Sequence, residues 1–226
     1  MSGAEALIRW NSRKYGFIGP NTFIPLLEDS ALIIPLGRWI INTAAKACNR
    51  WITSIPDFVM HINLSFVQIV KSNIVKDVLE NIERYSAANN HYVFEITETI
   101  EMDQIPAVQN VFKEFVKNEF RFAIDDFGTG YSNLHCIRDM NPSYVKMDRD
   151  FTAKAMNSAR DYELYKNIIP MVHSINVRIC AEGIEEKEWL LKMKEMKVDY
   201  LQGYYFGRPC GKKQFLQQYV SGINVK

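Results

Sequence analysis

No apolar run in the 226 residues can cross a bilayer: the longest, such as Ala31 to Leu36, fall far short of the about 20 residues that a membrane helix needs. The opening MSGAEALIRW lacks the basic region and apolar stretch of a signal peptide, so the sequon at Asn63-Leu64-Ser65 is expected to be a chance match. The four cysteines (Cys48, Cys136, Cys180, Cys210) contain no CxxC pair. The four histidines (His61, His91, His135, His173) contain no HExxH or related spacing. A disulfide scaffold and a His/Cys metal site are therefore not expected, and the cysteines read as reduced thiols of a cytoplasmic protein. Charge of one sign is missing too. With 27 Lys+Arg against 26 Asp+Glu, the formal net charge is +1, so no global field gathers a nucleic acid polymer or an anionic membrane. A polyanionic ligand would need a local site.

What is present is ordinary globular material: 47% hydrophobic, 23% charged and 12% aromatic residues. No Pro/Gly/Ser linker divides the chain and no strong repeat runs through it, so residues 1–226 read as one domain. A unit does recur: a short apolar run, a polar or acidic residue at its C-terminal end, then an amphipathic stretch. The runs are Ala4–Trp10, Phe58–Leu64, Tyr92–Thr97, Arg121–Asp125, Tyr144–Met147, Val177–Ala181 and Val198–Gln202. Helical periodicity marks Ile74–Tyr85, Val108–Phe120 and Tyr162–Ile175, and Trp189–Met196 follows an acidic start at Glu185, Glu186 and Glu188. Strands alternating with helices predict an α/β fold with a largely parallel sheet. Seven such units in an undivided chain favour a (β/α) barrel over an open sheet.

In such a barrel the C-terminal strand ends meet at one mouth, where the chemistry is done. Those ends carry Glu5, Asn63, Glu95, Asp125 with Asp126, Lys146 with Asp148, Glu182 and Gln202. Taken singly, each has a plain explanation as a cap, a turn residue or a solvated strand end. Their recurrence at one structural position is what points to chemistry. Five clustered carboxylates facing a single lysine call for cationic compensation, and an all-oxygen donor set selects hard ions: Mg²⁺, Mn²⁺ or Ca²⁺. A glycosidase also pairs acids, but its chemistry calls for neither the asparagine, the lysine nor five carboxylates. Asp126-Phe127-Gly128 is not a kinase motif here, because no GxGxxG loop, VAIK strand or HRD loop accompanies it. Gly128-Thr129-Gly130 reads instead as a sharply bending loop beside the site.

These residues fall in segments that resemble the EAL domain family of bacterial cyclic di-GMP signalling: EALIRW, FIPLLEDSALI, INLS, FEITET, DDFGTGYSNL, YVKMDRDF, CAEGIEE and LQGYYFGRP, in family order. The resemblance implies a (β/α)₈ TIM-type barrel with one antiparallel strand. It implies a phosphodiesterase that converts cyclic di-GMP to linear pGpG by two-metal in-line attack of an activated water. It implies two Mg²⁺ or Mn²⁺ ions, with Ca²⁺ inhibitory. Glu5, Asn63, Glu95 and Asp125 would ligate the first metal, and Asp125 with Asp126 the second. Lys146 would position the water and Glu182 would act as general base, with Glu5 a further member of the catalytic set. Arg9 would bind phosphate, Leu7 and Tyr204 to Phe206 are candidate walls for guanine (ordinary packing being the preferred reading of those aromatics), and Gln202 and Asp148 would fix geometry beside the substrate. Glu98 would clamp the DDFGTG loop. A homodimer is implied, as are sensory or GGDEF domains outside this chain. The family pattern begins some twenty residues earlier, with a strand carrying a QP motif, so the barrel is expected to lack its first strand. The alternative implied by the family is a receptor that binds cyclic di-GMP without hydrolysing it.

Overall fold

Every residue from Tyr92 to Ile96 and from Tyr144 to Met147 is buried, which is the signature of parallel strands covered on both faces rather than of half-exposed antiparallel ones. The computed structural model describes residues 1–97, 106–129 and 134–220. The chain opens with β1 (Gly3–Ala6), β2 (Trp10–Ser12), β3 (Gly16–Ile18), α1 (Pro20–Asp29), α2 (Ile33–Trp51) and β4 (Val59–Asn63). Helices α3 (Phe66–Lys71) and α4 (Ile74–Ile82), strand β5 (Tyr92–Thr97), α5 (Pro106–Lys117) and β6 (Arg121–Phe127) follow. Then come α6 (Leu134–Met140), β7 (Tyr144–Met147), α7 (Arg149–Asn157), α8 (Ala159–His173), β8 (Arg178–Ala181), α9 (Lys187–Glu195), β9 (Tyr200–Leu201) and α10 (Lys212–Phe215).

The chain divides into two units. The first comprises Met1–Glu95, Asn110–Arg121 and Cys210–Lys226, and the second Ile96–Gln109 and Phe122–Pro209. In the first, β4 pairs in parallel with both β1 and β5. Helix α2 buries Ile33, Gly37, Ile41, Ala44, Ala45 and Cys48 at helical spacing, and α4 buries Ile74, Val78 and Ile82. Phe94 stacks on Phe115 with ring centroids 5.1 Å apart, and Trp51 stacks on Phe215 at 4.5 Å, which ties α10 to the end of α2. In the second unit β6, β7, β8 and β9 pair in parallel in that order. Its core includes Val145, Ile179, Tyr165, Ile169, Val172 and Met193.

The expected strands are therefore present, with several boundaries corrected. The run Ala4–Trp10 divides: the parallel strand ends at Ala6, and Trp10 opens an antiparallel hairpin, β2 with β3, that the alternation did not reveal. Val198–Gln202 shrinks to Tyr200–Leu201. Among the described residues β1, β4 and β5 make the parallel pairings of the first unit and β6, β7, β8 and β9 those of the second, and the antiparallel member expected of the barrel is not among them. Helices α1 and α2 were not among the stretches marked by periodicity, and Pro25 lies inside α1. Pro35 sits in the first turn of α2, where the missing N–H costs no hydrogen bond.

No helix of the described residues is long and apolar enough to cross a membrane. No disulfide joins the four cysteines. Burial of Cys48 costs its thiolate solvation and pushes the group up to about 12. Cys136 and Cys180 are also buried, whereas Cys210 is partly exposed. Titration of the native protein with Ellman's reagent should therefore show one prompt thiol, Cys210, the other three reacting only on unfolding. Fast reaction of Cys48 would contradict this packing.

Candidate active site

Strand geometry places the first cluster. Along β4, side chains alternate, so Val59, His61 and Asn63 share one face. The register sets Glu5 of β1 opposite His61, and Asn63 opposite Glu95 of β5. Asn63 Nδ2 donates to Glu5 Oε1 at 2.6 Å, and His61 Nδ1 is hydrogen-bonded to Glu95 Oε1 at 2.7 Å. A carboxylate only accepts, so the amide nitrogen of Asn63 must face Glu5, which turns its carbonyl oxygen, the cation-ligating atom, away from it. Glu95 is only 1% exposed. The INLS segment is held below this by a capping box on α3. Ser65 Oγ accepts from Val67 N (3.1 Å) and donates to Glu28 Oε1 (2.6 Å), while Gln68 Oε1 accepts from Ser65 N (3.1 Å). Leu64 N donates to Glu95 O at 2.8 Å, which locks the two strand ends together.

The second cluster depends on an irregularity. Asp125 and Asp126 are neighbours, and on a regular strand neighbours face opposite ways. Between the pairs Ile124 with Val145 and Phe127 with Met147, β6 carries one residue more than β7, a β-bulge. Asp126 takes a left-handed φ of 56°, which aspartate tolerates better than most residues. Asp125, Asp126 and Glu182 each thereby offer a carboxylate oxygen, all within 4.8 Å of one another. Lys146, 1% exposed on β7, places Nζ 3.2 Å from Asp125 Oδ1 and 2.7 Å from Glu182 Oε1. Glu182 is anchored through its own N–H, donated to Met147 O at 3.1 Å. Three carboxylates meet one ammonium here, so negative charge remains in excess. A hard divalent cation suits both that excess and the oxygen donors.

Two glycines shape the surroundings. Gly128 follows the acids at φ +102°, and the space a Cβ would need is filled by the Phe151 ring. Beside Gln202, the Ile184 backbone packs against Gly203 so closely that a Cβ there would lie 2.1 Å from Ile184 O. Ile184 N donates to Gln202 O, and Tyr205 N to Ile184 O, both at 3.0 Å. Gly203→Ala should therefore destabilise the protein by about 1–3 kcal/mol in urea denaturation, as other overpacked sites do. An unchanged midpoint would show that this approach is not tight.

The sequence model of the EAL domain matches residues 1–209. The chain belongs to the EAL domain family. Among curated relatives, this EAL domain is 30% identical over 96% of its length to the bifunctional diguanylate cyclase/cyclic di-GMP phosphodiesterase MucR of Pseudomonas aeruginosa, and 30% identical over its whole length to the probable cyclic di-GMP phosphodiesterase PdeG of Escherichia coli. It spans 32% and 45% of those relatives' lengths. Its fold superposes on the EAL enzyme Bd1971, in the form with cAMP and cyclic-di-GMP bound, with a TM-score of 0.90 at 32% identity, covering 96% of this chain and 60% of that one. On the PaMucR phosphodiesterase in complex with c-di-GMP the TM-score is 0.88 at 30% identity, covering 96% of this chain and 88% of that one.

Other site residues of the EAL domain have different surroundings. Leu7 and Arg9 are exposed beyond β1, with Arg9 Nη1 donating to the neighbouring Ile8 O at 2.8 Å. Asp148 caps α7, its Oδ1 accepting from Asp150 N (2.9 Å) and Phe151 N (3.2 Å), so its position beside Lys146 also serves a local purpose. Tyr204, Tyr205 and Phe206, for which ordinary packing is the preferred sequence reading, are 49%, 44% and 45% exposed instead. Glu98, the expected loop clamp, lies outside the described residues. Sequence reasoning missed His61. A search for zinc spacing passes over it, yet the alternation that puts it on the face of Asn63 was readable.

Proposed function

We propose that this EAL domain is a metal-dependent phosphodiesterase that hydrolyses cyclic di-GMP to linear pGpG. The observation that carries the reading is the completeness of the acidic set: Asp125, Asp126 and Glu182 gathered around Lys146, with Glu5, Asn63 and Glu95 joined on the neighbouring strands of their own unit. The relatives named for this activity, and those whose structures hold the dinucleotide, support the choice of substrate.

In this reading Glu5, Asn63, Glu95 and Asp125 would hold one Mg²⁺ or Mn²⁺, and Asp125 and Asp126 would hold a second. When bound, the ions neutralise the phosphodiester and make water a better nucleophile. Glu182 accepts the proton as the water oxygen bonds to phosphorus. The P–O3′ bond breaks, and the departing O3′ takes up a proton to become the free hydroxyl of the linear product. Lys146 holds Glu182 and Asp125 in place through its short contacts to both. Arg9 is assigned to the phosphate, Leu7 to a base, and Gln202 and Asp148 to keeping the substrate's surroundings in register. Glu98 is assigned to the DDFGTG loop.

Cytoplasmic residence accords with four cysteines that form no disulfide. A homodimer accords with the groove in which Leu134, Ile137, Met171 and Ile175 stand beside Arg138, Asn141 and Ser174. Sedimentation velocity should then show two chains per particle.

Incubation with cyclic di-GMP and Mg²⁺ or Mn²⁺, followed by chromatography, tests the activity. Linear dinucleotide is the expected product. Tight binding in EDTA with no turnover once metal is restored would instead make the domain a receptor.

A further inference from the structure

We propose that His61 is a positioning residue for the cation site: its ring N–H holds the Glu95 carboxylate in the orientation that ligates metal. This rests on the metal-dependent reading above. Glu95 is 1% exposed, and a carboxylate that has lost its water needs donors of its own. His61 Nδ1 lies 2.7 Å from Glu95 Oε1. A Glu95 that ligates metal is an ionised carboxylate with no proton to give, so Nδ1 must then carry the hydrogen of this bond.

The placement follows from strand geometry. His61 lies two residues before Asn63 on the same face of β4, and Asn63 is the register partner of Glu95. The bond therefore runs diagonally between strands, from the level beneath the Asn63–Glu5 contact up to Glu95. The contact holds Oε1 toward His61 and so restrains the rotation of the Glu95 carboxylate. Groups that orient ligands in this way typically change metal affinity by about 10–100-fold when removed.

The test reads metal binding directly. Mn²⁺ affinity of the whole chain, without substrate, is measured by the electron paramagnetic resonance signal of free Mn²⁺. His61→Val is expected to weaken binding by about 10–100-fold. His61→Gln, which keeps an N–H donor, is expected to recover most of the loss. Wild-type affinity in His61→Val, or equal weakening in both variants, would overturn the proposal while leaving the metal reading intact. Absence of Mn²⁺ binding by the wild type would overturn both. A second measurement needs no variant. The His61 Nδ1 resonance of ¹⁵N-histidine-labelled protein should shift on saturation with Mg²⁺, and a resonance unmoved by bound Mg²⁺ would refute the contact's role.

Discussion

Replacing Glu182 by Gln should lower kcat for cyclic di-GMP by about 10²–10⁴-fold, the range expected for loss of a general base, and leave the dissociation constant of the ligand within a few-fold. The amide keeps the size of the side chain, so Gly183, Ile184 and the Met147 O contact of the Glu182 backbone stay in place. It cannot take up the water's proton. Single-turnover kinetics and equilibrium binding together separate the two effects. Equal loss of binding and turnover would mean that Glu182 holds substrate or metal instead. Unchanged turnover would remove it from the chemistry.

Lys146→Met should produce the largest loss of stability. The lysine is almost fully buried and faces two carboxylates, Asp125 at 3.2 Å and Glu182 at 2.7 Å. Methionine fills the space of the stem but leaves those charges facing each other with no ammonium between them. Breaking a buried ion pair from one side costs about 3–5 kcal/mol, and the partial solvent exposure of the Glu182 side chain places this case at the low end, about 3 kcal/mol. Divalent cation should then stabilise the variant more than the wild type, because it supplies the missing positive charge. Thermal melts with and without Mn²⁺ measure this. A variant as stable as the wild type without metal would show that the carboxylates do not need the lysine.

Both effects come from side chains whose position was legible. Lys146 and Glu182 stand at the ends of apolar runs, and the parallel strands β7 and β8 carry them in adjacent register. Glu5, Asn63 and Glu95 were found the same way. Asp126 was named, but the reason it can join Asp125 was not. A period of two sends neighbours to opposite faces, and only the bulge in β6 and the left-handed backbone at Asp126 bring them together. Asp148 has a local purpose as well, because it stands just before the helix Arg149–Asn157 and caps it.

The fold was less legible where local pattern is weak. The hairpin of β2 and β3 has strands of three residues each, too short for alternation to register. Gly16, the first residue of β3, leaves the turn at φ 71°, a signal the sequence did contain. Ordinary packing was preferred for Tyr204, Tyr205 and Phe206, and only the coordinates show how exposed they are. His61 was overlooked because a lone histidine gives no metal-ligand spacing, while its hydrogen bond to Glu95 depends on a strand pairing distant in sequence.

Anomalous diffraction at the manganese edge, from crystals grown with cyclic di-GMP and Mn²⁺, tests the central claim most directly. The account predicts two manganese peaks, one ligated by Glu5, Asn63, Glu95 and Asp125 and the other by Asp125 and Asp126. Clear density for the dinucleotide with no manganese beside these carboxylates would contradict it.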